Sequence, residues 1–295
     1  MTQTSWQLAV ERTLGVIGAP DWRCVARSDW GSSWSLRTHA MRYFVKTATG
    51  AYADMAPAEA DGLRALAGVG AIRVPDVMAE GSCEGTAFLA LSWLDIEPRR
   101  DGAALGQALA ALHRAKAPIG IDGDRFGWRR GNWIGGTPQP NGWSDDWCAF
   151  FRDRRLAPQF ALAAKRGHSV QRDGESLLAA LPSLLRSHDP APSLLHGDLW
   201  SGNAGTLVDG EPVVFDPAVY VGDREADLAM TELFGGFDAE FYRAYNDLWK
   251  VDVGYPLRRR LYNLYHLLNH LNLFGAAYLE RVTKSISALL AEARR

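Results

Sequence analysis

The segment that most constrains this chain of 295 residues runs from His196 to Asn203, with the sequence His-Gly-Asp-Leu-Trp-Ser-Gly-Asn. A further carboxylate, Asp216, follows at the end of the apolar run 212–215. Phosphoryl transfer from ATP needs a carboxylate that accepts the proton of the attacking hydroxyl and oxygen ligands that hold Mg²⁺ against the phosphates. The pattern therefore predicts a phosphoryl-transfer site with Asp198 as the base and with Asn203 and Asp216 as the metal ligands.

The spacing of these residues resembles that of the protein kinases. Asp198 and Asn203 match the catalytic loop His-Arg-Asp-x4-Asn, and Asp216 matches the metal-binding Asp of Asp-Phe-Gly. Gly197 replaces the Arg of that loop and Pro217 replaces the Phe, so the pattern favours a small-molecule kinase of the same fold. The structural alternative is an ordinary turn followed by a strand end, and the combined spacing and strand context argue against it.

Composition excludes several function classes. Hydrophobic residues make up 47% of the chain, and the formal net charge of −2 comes without a basic run, so we expect no nucleic-acid partner. The apolar stretches are too short to span a bilayer, and Glu11 and Arg12 interrupt the segment where a signal peptide would lie. We therefore expect a cytoplasmic protein with no membrane partner. Cys24, Cys83 and Cys148 lack a metal-ligand spacing and are expected to be reduced thiols.

The pattern of elements changes near residue 95. Before it, a helix over 6–17 precedes strands at 24–26, 34–36 and 42–46, a helix over 57–66, and strands at 74–80 and 86–94. After it, one helix is predicted to end near 114, and a loop is predicted at 122–143. Helices are predicted to cover 144–165 and 174–187, and further helices follow the catalytic segment. We predict an α+β, bilobal protein-kinase-like fold: an N-lobe over 1–95 with a five-stranded antiparallel sheet and one main helix, and a mostly helical C-lobe over 96–295, joined by a hinge at 95–100.

The N-lobe carries the predicted nucleotide contacts. Lys46 ends the third strand, where a kinase places the ammonium that pairs with the α- and β-phosphates of ATP. Glu59 on the following helix is its expected ion-pair partner. Trp93 and Leu94 precede the hinge directly and complete the predicted nucleotide site.

The turn Gly31-Ser32-Ser33 is predicted to cover the phosphates, although it has one glycine where several are usual. The hydroxyl and N–H groups of Ser32 and Ser33 would supply the missing hydrogen bonds. Farther along the chain, Asp227 is expected to support the catalytic loop structurally. His266 and His270 lie one helical turn apart without a third ligand nearby in the sequence, which favours a polar face of a cleft over a metal pair.

Longer segments resemble the fructosamine kinase family, also called ketosamine-3-kinases, within the aminoglycoside-phosphotransferase-like group. These segments are 132–143, 196–203, 216–218, 220–230, 233–237 and 265–275, and the resemblance covers nearly the whole chain. It implies ATP-dependent phosphorylation of the 3-hydroxyl of a ketosamine, the product of glucose or ribose glycating an amine. The phosphorylated adduct would then break down and release the amine, which is deglycation.

The resemblance also implies an acceptor site built from Trp200 and the loop 132–143. Trp200 and Trp143 would offer flat faces to a sugar ring. The side chains expected to form hydrogen bonds with its hydroxyls are Asn132, Gln139, Asn141 and His270. The family usually has Asp where Gly131 stands here, which removes one possible acceptor contact.

Two alternatives stay open from the sequence. One is a kinase for an aminoglycoside or another amino alcohol, and the other is a catalytically weak nucleotide-binding module. The complete set of site residues argues against the second. Segment 251–295 has three acidic and seven basic residues, and we expect this charge to repel a polycation. A neutral or singly charged ketosamine is thus the predicted small-molecule partner, and no oligomeric state is predicted.

Overall fold

The computed structural model describes residues 3–97, 101–116 and 124–295. Residues 98–100 of the predicted hinge and 122–123 of the predicted loop lie outside these ranges. In the described residues, no helix is long and apolar enough to cross a membrane.

The N-terminal part is built on one antiparallel sheet. Its strands are β1 (Asp21–Ser28), β2 (Gly31–Arg37), β3 (Arg42–Thr49), β4 (Val77–Cys83) and β5 (Thr86–Ser92), in the order β1-β2-β3-β5-β4. Helix α1 (Ser5–Leu14) packs on β4 and β5, and α2 (Met55–Val69) packs near β3, β4 and β5.

The alternation of side chains along β3 separates the small core from the site. Successive side chains of a strand point to opposite faces, so neighbouring residues of β3 have different surroundings. Val45 is buried with Val10 of α1 in a core on one face of the sheet. Lys46 lies on the other face, where Glu59 of α2 meets it. The alternation therefore directs one ammonium into the space beneath the sheet.

The C-terminal part is mostly helical. Its helices are α3 (Gly102–Arg114), α4 (Trp147–Phe150), α5 (Ala157–Lys165), α6 (Gln171–Leu184), α7 (Glu225–Leu233), α8 (Ala239–Leu248), α9 (Tyr255–Phe274) and α10 (Leu279–Ala293), with a π-helical segment at Phe151–Leu156. Its short strands are β6 (Ile96–Glu97), β7 (Asn132–Ile134), β8 (Thr137–Gln139), β9 (Pro192–Leu195), β10 (Ala204–Leu207), β11 (Pro212–Val214) and β12 (Tyr220–Asp223).

Long-range strand pairs fix the catalytic segment. β10 pairs with β11 on one side and with β6 on the other, while β9 pairs with β12. The turns that follow β9 and β11 therefore come together. Helix α9 packs on α5, α7 and α10 and is buried along most of its length, with Leu264, Leu268 and Leu271 in the large core.

The predicted α+β fold with a five-stranded antiparallel sheet is confirmed. One local prediction is wrong. The loop predicted at 122–143 contains the hairpin β7–β8, because Asn132 pairs with Gln139 across the turn Gly135-Gly136. The helices predicted over 144–165 are present from Trp147 onward, where α4 continues into the π-helical segment Phe151–Leu156 and then into α5.

Candidate active site

The catalytic loop begins directly after β9 in a conformation that requires glycine. Gly197 has φ +83°, and a Cβ at this position would lie 2.1 Å from the carbonyl oxygen of Ala218. A side chain there would meet backbone, so the loop accepts no Arg at this position. His196 is buried beside it, and its Nε2 donates to the carbonyl oxygen of Phe215 at 3.0 Å. The loop is thereby tied to the strand end that precedes Asp216.

Asp227 holds the same loop from α7. Its Oδ2 accepts the backbone N–H of His196 at 2.7 Å, and its Oδ1 accepts that of Gly197 at 2.8 Å. His113 of α3 lies 3.2 Å from Oδ2. Burial opposes the charge of Asp227, but hydrogen bonds and the charge of His113 lower the pKa of the carboxyl below its ordinary value. The carboxylate thus acts as a fixed charged anchor, in the structural role expected of it.

Asp198 and Asn203 lie side by side at the end of this loop. The Nδ2 of Asn203 donates to the backbone oxygen of Asp198 at 2.9 Å and to its Oδ2 at 3.3 Å. Burial and the nearby charge of Asp216 raise the pKa of Asp198 to about 7, against the lowering effect of the Asn203 hydrogen bond. A carboxyl with a pKa near neutrality is matched to accepting a proton from a hydroxyl.

Lys46 links the sheet to both neighbouring carboxylates. Its Nζ lies 2.7 Å from Oε1 of Glu59 and 2.7 Å from Oδ1 of Asp216. Burial disfavours the ammonium, but the two carboxylates outweigh that cost and raise the pKa of Lys46 above its ordinary value. The lysine is therefore charged at neutral pH.

The donor set at the end of β11 fits a divalent cation such as Mg²⁺. Asp216 has φ +57°, a left-handed conformation that is uncommon for a residue with a side chain. Its side chain is 48% exposed, and its Oδ1 accepts a hydrogen bond from Nζ of Lys46. Both Asn203 contacts to Asp198 use the amide nitrogen, which leaves the amide oxygen of Asn203 for another partner. Carboxylate and amide oxygens are hard ligands of the kind that Mg²⁺ prefers.

Two cavities adjoin this site beneath the sheet. The lysine cavity is lined by Gly31, Ser32 and Ser33 of β2 together with Lys46, Glu59 and Asp216. The hinge cavity is mostly apolar and is lined by Phe44, Leu91, Trp93, Leu94 and Phe215, and it shares Asp216 with the lysine cavity. An apolar slot beside a polar one that contains a lysine ammonium suits a nucleotide, with the base in the first and the phosphates in the second. Phe44 and Phe215 were not predicted from the sequence, since an apolar strand residue gives no local sign that it faces a cavity.

A third cavity, of about 470 Å³, opens on the C-terminal side and is here called the aromatic cavity. Aromatic side chains make up much of its wall: Trp30, Trp200, Phe234, His266, His270, Phe274 and Tyr278. Asp198 is the charged residue among those that line it. Burial lowers the pKa of His270, and its Nδ1 donates to the backbone oxygen of His266 at 2.8 Å. His270 is therefore neutral, with Nε2 left as a hydrogen-bond acceptor.

The central cavity joins these spaces. It is lined by Lys46, Glu59, Asn203 and Asp216 of the lysine side and by Trp30, Asn132, Gly135 and Trp200 of the aromatic side. Asp198 lines both the central cavity and the aromatic cavity. A hydroxyl bound in the aromatic cavity can thus reach the carboxylate of Asp198, which shares the central cavity with Asn203 and Asp216.

Three predicted acceptor contacts need correction. Gln139 is buried, and its Nε2 donates to Oδ1 of Asn132 at 2.8 Å while its Oε1 accepts the hydroxyl of Tyr265 at 2.6 Å. The Oδ1 of buried Asn141 accepts from Arg155 at 2.6 Å. Trp143 packs against the large core and is not among the residues that line the cavities described above.

Asn132 reaches the central cavity, but its amide is engaged. Its Nδ2 donates to the backbone oxygen of Val219 at 2.7 Å, and its Oδ1 accepts from both Gln139 and Asn141 at 2.8 Å. Gln139 also donates to the backbone oxygen of Ala218 at 3.2 Å. These amides hold the backbone that follows Asp216, so they support the site and do not offer free groups to a sugar.

The repulsion of polycations that was expected from segment 251–295 also needs correction. Arg258 is buried against Glu225 and Asp252, and Arg259 pairs with Glu232. Much of the positive charge of segment 251–295 is therefore neutralised locally, partly by acids of α7. What bears on acceptor charge is the composition of the aromatic cavity, where Asp198 is the sole carboxylate among the lining residues.

Comparison with known proteins decides the family. Residues 2–292 match the model of the protein family described as "Fructosamine kinase". The chain belongs to this family. The resemblance seen in the sequence is confirmed, and with it the class of phosphotransferase that acts on a hydroxyl group. This fructosamine kinase family member is 41% identical over 291 residues to the "Probable ketoamine kinase" of Synechocystis sp., and the match covers 97% of each chain.

Solved structures agree with this placement. The family member is similar to the "Putative fructosamine-3-kinase" from Haemophilus somnus, with a TM-score of 0.86, 29% identity and coverage of 97% of both chains. An aminoglycoside phosphotransferase in ternary complex with ADP and hygromycin B has a TM-score of 0.65 at 14% identity, over 99% of this chain and 97% of that one. The second likeness shows a shared kinase-like fold.

Proposed function

We propose that this protein transfers the γ-phosphoryl group of ATP to the 3-hydroxyl of a ketosamine. The observation that carries the proposal is the position of Asp198, which borders the cation and lysine groups on one side and lines the aromatic cavity on the other. The family and the relative named as a ketoamine kinase support this acceptor class. The aromatic cavity would hold the acceptor, and the lysine and hinge cavities would hold ATP.

The reaction follows from this arrangement. The acceptor hydroxyl gives its proton to the carboxylate of Asp198 while its oxygen forms a bond to the γ-phosphorus. The bond from that phosphorus to the bridging oxygen breaks, and ADP leaves with the electron pair. Lys46 would stabilise the charge on the α- and β-phosphates, held in place by Glu59. Mg²⁺ bound by Asn203 and Asp216 would supply further neutralisation of the phosphate charge.

The aromatic cavity favours a small acceptor of low charge. Trp200 is 40% exposed and offers an indole face on which a sugar ring can pack. The neutral ring of His270 offers one acceptor nitrogen for a sugar hydroxyl. With one carboxylate among the lining residues, the cavity suits a neutral or singly protonated ketosamine. An aminoglycoside, which is a polycation, would meet too few acidic groups, and this favours the ketosamine of the two candidates.

Competition kinetics test the acceptor. Purified protein is given ATP, Mg²⁺ and equal concentrations of a fructose-derived ketosamine and kanamycin, and both phosphorylated products are measured. We expect phosphorylation of the ketosamine and little or none of kanamycin. A preference for kanamycin would replace the acceptor and leave the kinase activity standing, whereas no ATP consumption with either would favour a nucleotide-binding module.

A variant of the base tests the mechanism. Asp198→Asn should lower turnover by about 10²-fold or more, the scale of lost general-base catalysis, while ATP affinity stays near that of the wild type. Asp209→Asn is the matched control, because Asp209 lies in the exposed turn between β10 and β11. Turnover of Asp198→Asn equal to that of the control would remove Asp198 from the mechanism.

A further inference from the structure

Trp30 lies at the tip of the β1–β2 hairpin, beside the residues that face the phosphates. Ser28 pairs with Gly31 across the hairpin, so Asp29 and Trp30 form its two-residue turn. Gly31 and Ser32 follow directly and line the lysine cavity. A turn that covers phosphates usually has glycine here so that its backbone can approach the ligand. This chain instead has its bulkiest type of side chain at the tip.

The indole of Trp30 crosses to the C-terminal part of the protein. A Cβ on Gly136 would lie 2.6 Å from Cε3 of Trp30, so the ring rests directly on the glycine of the β7–β8 turn. The strands on either side of that turn carry the buried amides of Asn132 and Gln139, which donate hydrogen bonds to the backbone after Asp216. The hairpin tip therefore packs on a turn that is hydrogen-bonded to the backbone beside the proposed cation site.

Trp30 also belongs to cavities on both sides of the site. It lines the lysine cavity with Ser32 and Lys46, and it lines the aromatic cavity with Trp200 and His270. Trp30 and Trp200 both line the central cavity with Asp198. A sugar ring that packs on Trp200 therefore shares its space with the indole of Trp30.

From these contacts, we infer that Trp30 is a specificity-determining residue: it contacts the sugar ring of the acceptor from the N-lobe and couples acceptor binding to ATP binding. Contact with the acceptor fixes the hairpin tip in the position that presents Gly31 and Ser32 to the phosphates. Coupling between two ligands is reciprocal, so each ligand should tighten the binding of the other. This inference rests on the proposed function, since it takes a ketosamine as the occupant of the aromatic cavity.

Calorimetry with a non-hydrolysable ATP analogue and Mg²⁺ tests the coupling. The affinity for the analogue is measured with and without a saturating fructose-derived ketosamine. In the wild type, we expect the ketosamine to tighten analogue binding by about 5-fold or more, the lower end of common couplings. In Trp30→Ala, this factor should fall close to 1, the KM for ketosamine should rise by about 10-fold, and analogue affinity alone should change by less than about 3-fold.

Two further variants separate acceptor contact from folding. Gly136→Ala keeps the indole but displaces it from its contact with the β7–β8 turn, and this variant should reduce the coupling as Trp30→Ala does. Trp34→Phe is the matched control on the same hairpin, because Trp34 packs on Trp6 at a ring distance of 5.3 Å and donates to Thr47 at 3.3 Å, away from the acceptor. It should keep the wild-type coupling factor.

The outcomes distinguish the inference from the proposed function. If the wild type phosphorylates ketosamine and Trp30→Ala retains the full coupling factor, the inference alone is overturned. Equal losses of analogue and ketosamine affinity in Trp30→Ala, with an unchanged factor, would make Trp30 a structural support and overturn it too. Wild-type protein that neither binds nor phosphorylates ketosamine would overturn the proposed function together with the inference.

Discussion

Replacing Asp227 with Asn tests whether this buried carboxylate holds the catalytic loop. The carboxylate has an acceptor for each of two loop N–H groups, those of His196 and Gly197. An amide of the same shape has one oxygen and one NH₂ group. In either orientation of the amide, one backbone N–H must face the NH₂ group. His113 contacts the same carboxylate through Nε2, but the two backbone N–H groups are donors only and cannot adapt to an NH₂ group.

The magnitude follows from these contacts. A hydrogen bond to a charged group contributes about 1.5–3 kcal/mol, and a buried donor left without an acceptor costs about 1–3 kcal/mol. Because these costs overlap, we expect Asp227→Asn to lower the free energy of unfolding by about 2–4 kcal/mol. At about 2 °C for each kcal/mol in a protein of this size, the melting temperature should fall by about 4–8 °C. Displacement of the loop should also lower turnover by about 10²-fold.

Thermal and urea unfolding measure the first effect, and ketosamine kinetics measure the second. Asp238→Asn is the matched control, because exposed Asp238 caps α8 by accepting the N–H of Phe241 at 2.9 Å, and Asn caps helices about as well as Asp. The control should unfold within a few tenths of a kcal/mol of the wild type. If Asp227→Asn matches that control in both stability and turnover, the anchoring role assigned to Asp227 is refuted.

Two further predictions concern buried side chains near the site. Gln139→Ala leaves the hydroxyl of Tyr265 without its acceptor and should lower the free energy of unfolding by about 2–3 kcal/mol, whereas the exposed control Gln171→Ala should change it by less than about 0.5 kcal/mol in the same urea titration. Burial lowers the pKa of His266 to about 3 from an ordinary 6.5, so its neutral form stabilises the fold above pH 6.5 and this contribution is lost as the pH falls. When the pH is lowered from 7 to 5, the free energy of unfolding of His266→Gln should therefore fall by about 2 kcal/mol less than that of the wild type. Parallel stability curves for the two proteins would contradict the second prediction, and equal effects of the two Gln variants would contradict the first.

Local sequence determined much of the proposed catalytic site. Asp198 and Asn203 share one turn, and Asp216 follows a short strand, so their chemistry and spacing can be recognised within a few residues of chain. Lys46 could be placed because it ends the predicted third strand, where a kinase has the ammonium that pairs with the phosphates. The five-stranded sheet could be predicted from short runs of strand-forming residues that are separated by turn residues.

The tertiary structure decided which polar side chains are free to bind a ligand. Gln139 and Asn132 have the residue types of a sugar site, but their partners include the backbone of Ala218 and Val219, about eighty residues away in the chain. A buried amide is satisfied by whatever groups the fold brings to it, and the sequence does not record those groups. Trp30 shows the converse: its neighbours in the sequence mark a hairpin turn, and its contact with Gly136 exists only because the two parts of the protein meet there.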